Sequence, residues 1–276
     1  MATDTQEQTE TQTEPAKARK HALVTGASSG IGEEFARQLA GHSYDVVIVA
    51  RRRDRLDALA KELSESKGAA VEVIEADLST QAGVAAVAER IAKGDIDVLV
   101  NNAGFGTRGE FPDLPLGREL EELDLNIRAL TELSHHAIQH MRTKGKGAII
   151  NVASTGAYQP VPYMATYAAT KAYVLSFSEA LHEEAKRYGV TVTCLCPGGT
   201  RTEFQAVAGV DERNIPRMAF MDAEPVVRSA LKAAKAGSAV ATPGMINKTT
   251  ANLPRVLPRF MTRKIAGRMF KPADEK

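Results

Sequence analysis

Two rhythms of apolar residues alternate along the chain. Short, nearly unbroken runs of aliphatic and β-branched residues occur at 21–25, 45–50, 71–74, 97–100, 148–152, 190–196 and 239–241. Such runs read as strands covered on both faces, as in a parallel sheet. Between them, apolar residues recur every three or four positions: through Phe35, Leu39 and Ala40, then over 54–66, 80–93, 117–143, the stretch bearing Tyr167 and Lys171 to about Tyr188, and 223–236. That spacing places them on one face of a helix. Repeated strand and helix units demand parallel strands joined by right-handed crossovers. The expected fold is therefore α/β: one doubly wound parallel sheet of about seven strands flanked by helices.

Departures from the alternation set the domain limits. Residues 1 to about 20 are rich in Thr, Gln and Glu and hold no Val, Leu, Ile or Phe. They cannot bury enough apolar surface to offset their ordering entropy, so a disordered tail is expected over 1–20 and the body over 21–245. From about 199 to 222 the rhythm breaks, with Phe204, Met218, Phe220 and Met221 scattered among polar residues, and this stretch reads as a lid. Beyond Pro258, Met261, Ile265 and Met269 mark one helical face and Arg259, Arg263, Lys264, Arg268 and Lys271 another, with no acidic residue between Arg255 and Pro272. The extension 246–276 is expected to end in a basic amphipathic helix. Its apolar side either packs on the body or a partner subunit, or makes peripheral contact with an anionic membrane through 255–271.

Composition narrows the classes. A length of 276 residues suits one α/β domain. Lys+Arg 35 against Asp+Glu 34 leaves a formal charge of +1, so no nucleic-acid partner is expected. Cys194 and Cys196 point to the same face of a strand and read as small buried hydrophobes. His135, His136 and His140 read as ordinary helix positions, and with no HExxH or Cys/His zinc spacing no metal is expected. No apolar run approaches the ~18 residues of a membrane span and the start shows no apolar signal core. A cytoplasmic location is expected.

The candidate chemistry lies at the strand ends. Gly26-Ala27-Ser28-Ser29-Gly30-Ile31-Gly32 joins the first strand to a helix. Unpaired backbone N–H groups and the positive helix end then face one point, which suits a phosphate. The spacing is Gly-x3-Gly-x-Gly rather than GxGxxG, but its place after the first strand indicates a dinucleotide site. The second strand ends at Arg51-Arg52-Arg53. Ligands lie beyond the carboxyl ends of such a sheet, so Arg51 faces the ribose and Asp45 lies at the far end. A guanidinium there suits the 2′-phosphate of NADP, and NADP(H) is expected in preference to NAD(H).

Asp77, beyond the third strand, is placed to accept from an adenine amino group; alternatively, Asp77 or Ser79 caps the following helix. The small residues of Asn101-Asn102-Ala103-Gly104 let a ligand approach the backbone. Asn126 stands mid-helix, where a buried amide needs partners. Ser154 follows the fifth strand, its hydroxyl at the carboxyl edge. Tyr167 and Lys171 are one helical turn apart, so the ammonium is expected to lower the phenol from its usual pKa of ~10 and ready it to exchange a proton with a substrate oxygen.

In this order the segments resemble the short-chain dehydrogenase/reductase family over roughly 20–245. TGASSGIG at 25–32, NNAG at 101–104, Ser154, Tyr167-x3-Lys171 and Pro197-Gly198 stand in family order and spacing. The resemblance implies a Rossmann-like fold, a catalytic tetrad of Asn126, Ser154, Tyr167 and Lys171, and reduction of a carbonyl to an alcohol by hydride transfer. It implies cofactor contacts from Gly26, Ser28, Ser29, Gly30, Ile31 and Gly32, from Asp77 and Leu78 at the adenine, and from Asn102, Ala103 and Gly104 along the cofactor. Tyr167 and Lys171 would meet the nicotinamide ribose, and Pro197, Gly198, Thr200 and Thr202 the carboxamide side. Asn126 would order a water that relays protons, and helices matching 117–143 and 158–188 would pair between subunits in a homodimer or homotetramer.

Within the family, 159–163, 243–248 and the basic tail look most like bacterial ketoacyl-type reductases. The substrate is then expected to be a small carbonyl or alcohol, foremost an acyl thioester or lipid. A steroid or xenobiotic carbonyl reductase is the alternative enzyme, and an NADP(H)-binding sensor without chemistry the alternative class. An epimerase or dehydratase would carry a GxxGxxG loop and a larger substrate domain, neither of which the sequence contains.

Overall fold

Each strand that leaves the sheet returns through a helix packed on one face, and the computed structural model, which describes residues 19–209 and 220–272, shows the result. Of the tail expected over 1–20, residues 1–18 lie outside the described residues, as do the lid residues 210–219, Met218 among them; Arg19 and Lys20 belong to the body instead, Lys20 opening the first strand and Arg19 donating to Tyr44 O. Seven strands, β1 (Lys20–Thr25), β2 (Tyr44–Ala50), β3 (Val71–Glu75), β4 (Ile96–Asn101), β5 (Gly147–Val152), β6 (Val190–Leu195) and β7 (Val240–Ala241), form one sheet in the order 3-2-1-4-5-6-7. All six pairings are parallel.

Alternate strand residues feed two helical layers, as the period of two requires. Val24, Ile48, Val100 and Ile150 pack against α1 (Gly30–Gly41), α2 (Arg53–Lys67) and α8 (Ala223–Lys235) through Phe35, Leu39, Leu56, Leu63 and Val226. Their neighbours Leu23, Val47, Leu99 and Ile149 face the other way. They meet α3 (Gln81–Ala92) and α5 (Leu130–Lys144) through Val84, Val87, Leu133 and Met141. The strand order reverses between β1 and β4, which opens the ligand-binding crevice at their carboxyl ends. Asp45, at the other end of β2, pairs with Arg19 at 2.8 Å and takes no part in it. The two cysteines are buried and free, with sulfurs 3.7 Å apart.

Three expectations are corrected. The helix expected over 117–143 is α4 (Leu116–Leu123) and α5 joined by a π turn at Asp124–Ala129. The cause is Asn126: its buried amide donates to Phe105 O (2.9 Å) and Thr170 Oγ1 (3.1 Å) and accepts from Phe105 N–H (3.2 Å). The residue that caps α3 is Thr80, which accepts from Gly83 N–H, rather than Ser79 or Asp77. Met261 and Ile265 are exposed on α10 (Arg259–Phe270), which docks through Thr262 and Ala266, small enough to let the helix come close to the body.

The limit drawn between 245 and 246 falls in the first turn of α9 (Met245–Asn252). Asn247 lies so close on Gly198 that a Cβ there would stand 2.2 Å from its Oδ1. Arg108 fastens the far end of α10 by donating to Phe270 O (2.9 Å) and Lys271 O (2.8 Å). The extension is therefore packed onto the body.

Candidate active site

The loop between β1 and α1 is shaped by two close approaches. Gly26 has a φ of +66, and a Cβ on Gly32 would stand 2.3 Å from Gly26 O and 2.4 Å from Asn102 Nδ2. Only a hydrogen fits in either place. Ser29, the N-cap of α1, makes no side-chain capping bond, so the first-turn N–H groups of Gly30, Ile31 and Gly32 are left to an external anion. This cradle fits the pyrophosphate of a dinucleotide. Asn102 lies across its floor: Nδ2 donates to Thr25 O (3.0 Å) and Gly26 O (3.3 Å). The Thr25 hydroxyl accepts from the N–H groups of Asn102 and Ala103, both at 3.0 Å. Thr202 closes the opposite side, with Cγ2 2.7 Å from where a Cβ on Gly30 would be.

At the end of β2, Arg51 lies 3.7 Å from Asp77 and 3.6 Å from Glu121. Asp77 Oδ1 is taken by the N–H and hydroxyl of Ser79, so its second oxygen is the one turned to a ligand or to Arg51. These bonds and the Arg51 charge hold Asp77 below the usual carboxylate range, outweighing its burial. Arg52, which the sequence did not distinguish from its neighbours, donates to the Ser28 and Ser29 hydroxyls at 3.0 and 2.9 Å. It also pairs with Glu203 at 2.8 Å, and Arg55 holds the other Glu203 oxygen at 2.7 Å. No signal within a run of three arginines tells which one turns back over the loop. The Leu78 side chain is buried in the core and Pro197 is buried under the loop, its carbonyl accepting from Thr155 N–H. Thr200 and Thr202 are engaged locally, the first donating to Gly198 O and the second accepting from Phe204 N–H.

Beyond β5, Ser154 caps the short 3-10 turn Thr155–Tyr158. It faces α6 (Ala165–Ala185), close enough for its hydroxyl to bear on the Tyr167 phenol. The Tyr167 ring is wedged between Phe204, whose ring centroid is 5.3 Å away, and Gly106, where a Cβ would touch Cδ2 at 2.8 Å. Lys171 Nζ donates to Val152 O at 2.9 Å and stands 5.7 Å from the Tyr167 ring centroid. Asn126 Oδ1 and Lys171 Nζ converge on Gly104, 2.8 and 3.3 Å from the place of its absent Cβ. Asn126, Ser154, Tyr167 and Lys171 are thus gathered beside the cradle.

The expected lowering of the phenol is corrected. Burial pushes Tyr167 up to about 12, against the Ser154 hydrogen bond. Burial likewise brings Lys171 down to about 8. With its ammonium turned to Val152 O, Lys171 does not offset the cost of a buried phenolate. Below about pH 8 the site holds a neutral phenol and an ammonium. That combination is chemically able to give a proton to an alkoxide.

The model of the short chain dehydrogenase family matches residues 20–213. Among curated proteins, one from Streptomyces coelicolor that is a ketoacyl reductase by name is 38% identical over 196 residues, 67% of this chain and 72% of its own. The Very-long-chain 3-oxoacyl-CoA reductase of Bos taurus is 31% identical over 252 residues, 89% of this chain and 78% of its own. Across curated relatives the matched stretch spans between 58% and 78% of their lengths. Among solved structures, a short-chain dehydrogenase from Sphingobium yanoikuyae in complex with NADPH superposes with a TM-score of 0.79 at 33% identity, over 93% of this chain and 98% of that one. With the ordered motifs, the parallel sheet and the gathered tetrad, these matches establish that the chain belongs to the short chain dehydrogenase family of oxidoreductases.

Proposed function

We propose that the protein is an NADP(H)-dependent carbonyl reductase acting on a 3-oxoacyl or similar lipid-like substrate. The observation that carries the reading is the half-buried Tyr167 ring beside Ser154, packed with an apolar roof of Val161, Met164, Phe204 and Phe270. A bound nicotinamide supplies the hydride. Ser154 holds the carbonyl oxygen, and the Tyr167 O–H gives its proton as charge grows there. The Lys171 ammonium, held on Val152 O, is placed for the nicotinamide ribose, and Asn126 holds Phe105 by both its N–H and its carbonyl. The apolar roof favours a lipid-like substrate over a sugar, and the likeness to ketoacyl and 3-oxoacyl-CoA reductases supports a 3-oxo group, with a steroid as the second reading from the equally similar 17-beta-hydroxysteroid dehydrogenases.

Two arginines at the end of β2 support NADP(H) over NAD(H), as does the NADPH bound by the Sphingobium protein. Their roles separate. Arg51 has only the long pairings with Asp77 and Glu121, at 3.7 and 3.6 Å, to give up for a 2′-phosphate, whereas Arg52 also steadies Ser28 and Ser29. Losing a charge-assisted contact is worth roughly 1.5–3 kcal/mol, so Arg51→Ala is expected to raise KM for NADPH on the order of 10- to 100-fold and leave that for NADH unchanged. Arg52→Ala is expected to raise both. The assay follows NADPH oxidation with 3-oxoacyl thioesters of increasing chain length beside steroid and simple ketones. Failure across all chain lengths removes the lipid reading, and equal or better use of NADH removes the cofactor preference.

The same reading gives the C-terminal segment a task. Val256, Phe260, Met261 and Ile265 are exposed among Arg259, Arg263, Lys264 and Arg268, and no acidic residue occurs between Glu224 and Asp274. The face suits peripheral contact of a cytoplasmic enzyme with an anionic lipid surface, since a second copy would set two acid-free basic faces together. The end of α10 reaches the roof over Tyr167 through Phe270, so the docked face lies next to the substrate side. Phe260→Ser with Ile265→Ser is expected to abolish co-sedimentation with anionic vesicles while activity on a short soluble substrate stays. Equal sedimentation of both proteins ends this part of the proposal. Exposed Leu116, Leu120 and Leu123 on the α4 side and Tyr173 on α6 support a homodimer or homotetramer built on those helices.

A further inference from the structure

A proton count singles out a carboxyl pair beside the tetrad. Glu119 and Glu122 lie on α4, both buried, Glu122 completely. The Thr107 hydroxyl is 2.5 Å from Glu119 Oε1 and 2.8 Å from Glu122 Oε2. A hydroxyl has one proton to give, so Thr107 donates in only one of these contacts. The other needs a proton on the carboxyl, since otherwise lone pairs face each other in a place shielded from water.

The two acids differ in how well they bear a charge. Both Glu119 oxygens have a hydroxyl partner, Thr107 on one side and Thr166 on the other. Glu122 Oε2 accepts from Thr107 N–H at 3.0 Å, but its Oε1 is buried without a partner. Glu119 is therefore the carboxylate and Glu122 the acid. A chain results in which Glu122 Oε2–H donates to Thr107 and Thr107 donates to Glu119. Burial, with the Glu119 charge adding to it, pushes Glu122 up to about 7.

We propose that Glu122 carries a proton in the resting enzyme and is a positioning residue whose charge state governs how firmly Lys171 and Tyr167 hold their protons. Glu122 sits one helical turn before Asn126, whose Oδ1 converges with Lys171 Nζ on Gly104. The titratable groups bearing on it are Glu119 of its own helix and Lys171 and Tyr167 of α6. The intervening loop contributes the uncharged Thr107. Arg118, also on α4, is engaged with the Phe105 ring at 3.9 Å and with Glu121. An ionised Glu122 strengthens the hold of both Lys171 and Tyr167 on their protons. As pH rises through about 7, Glu122 gains its charge and becomes the counterion that keeps Lys171 an ammonium further into the alkaline range.

The inference rests on the proposed reductase reading for its kinetic consequence but not for its protonation. The kinetic arm compares pH profiles of kcat/KM for the wild type and Glu122→Gln. The variant is expected to lose an ionisation near pH 7, and its alkaline limb is expected to move to lower pH, with KM for NADPH unchanged. A packing role alone would lower stability and leave the shape of the profile untouched, so coincident profiles overturn the proposal. The spectroscopic arm needs neither turnover nor a folded variant. Infrared spectra of the wild type on either side of about pH 7 are expected to show a protonated-carboxyl band that is lost on the alkaline side. A band absent or unchanged across that range overturns the proposal even if the reductase reading stands. A titrating band without carbonyl turnover overturns the reductase reading alone.

Discussion

Tyr167→Phe is expected to lower kcat about a thousandfold and to leave the dissociation constant for NADPH unchanged. The substitution removes one oxygen and keeps the ring, so the contacts with Phe204 and Gly106 persist and the apolar roof stays closed. What is lost is the proton delivered to the carbonyl oxygen. That loss corresponds to roughly 4 kcal/mol of barrier. No change of pH restores it. The phenol, at about 12, is the neutral donor throughout the range in which the protein is assayed. In the proposed reading cofactor affinity comes mainly from the cradle at Gly26 to Gly32 and the arginines after β2, so losing one oxygen at Tyr167 changes it little. Single-turnover measurement of NADPH oxidation, beside calorimetric titration of NADPH, separates the two quantities. A variant that keeps near-wild-type kcat contradicts the assignment of Tyr167 as proton donor. One that loses NADPH binding shows that the phenol holds the cofactor instead.

The sheet and its order of helices were readable because each apolar run has a period, and a parallel strand covered on both faces leaves an unbroken one. Of the candidate site, Ser154 was readable from its place after β5 and Tyr167 with Lys171 from their helical spacing, whereas the family resemblance was what joined them with Asn126 into one set. What stayed hidden depends on the third dimension. The π turn at Asp124–Ala129 has no local mark, since it follows from an amide reaching Phe105 and Thr170. Glu119 and Glu122 look like members of a solvated acidic face, yet the loop that carries Thr107 folds over them. Arg51 and Arg52 differ only in which way the chain turns as β2 ends. On α10 the larger apolar residues suggested the docking face, but Gly267 sits on Pro162, 3.4 Å from its Cγ to where a Cβ would be, and closeness favoured the small residues instead.

Gly32→Ala is expected to weaken NADPH binding tenfold or more and to lower the melting temperature. A methyl group there would stand 2.3 Å from Gly26 O and 2.4 Å from Asn102 Nδ2. Neither neighbour has an easy retreat. Gly26 is fixed in a left-handed conformation, and Asn102 is tied by its amide to Thr25 O and Gly26 O. Overpacking of this kind costs about 1–3 kcal/mol, which the structure can relieve only by lifting α1 from the loop. That movement spreads the N–H groups of Gly30, Ile31 and Gly32, so a fault in packing becomes a loss of phosphate affinity. Gly41→Ala supplies the control. It lies at the other end of the same helix, with nothing within 4 Å of the added carbon, and is expected to leave both affinity and melting temperature close to those of the wild type. Calorimetric titration of NADPH into both variants decides the matter. If Gly32→Ala binds as tightly as Gly41→Ala, the close approach of α1 to the loop is not what shapes the cradle, and the dinucleotide must be held elsewhere.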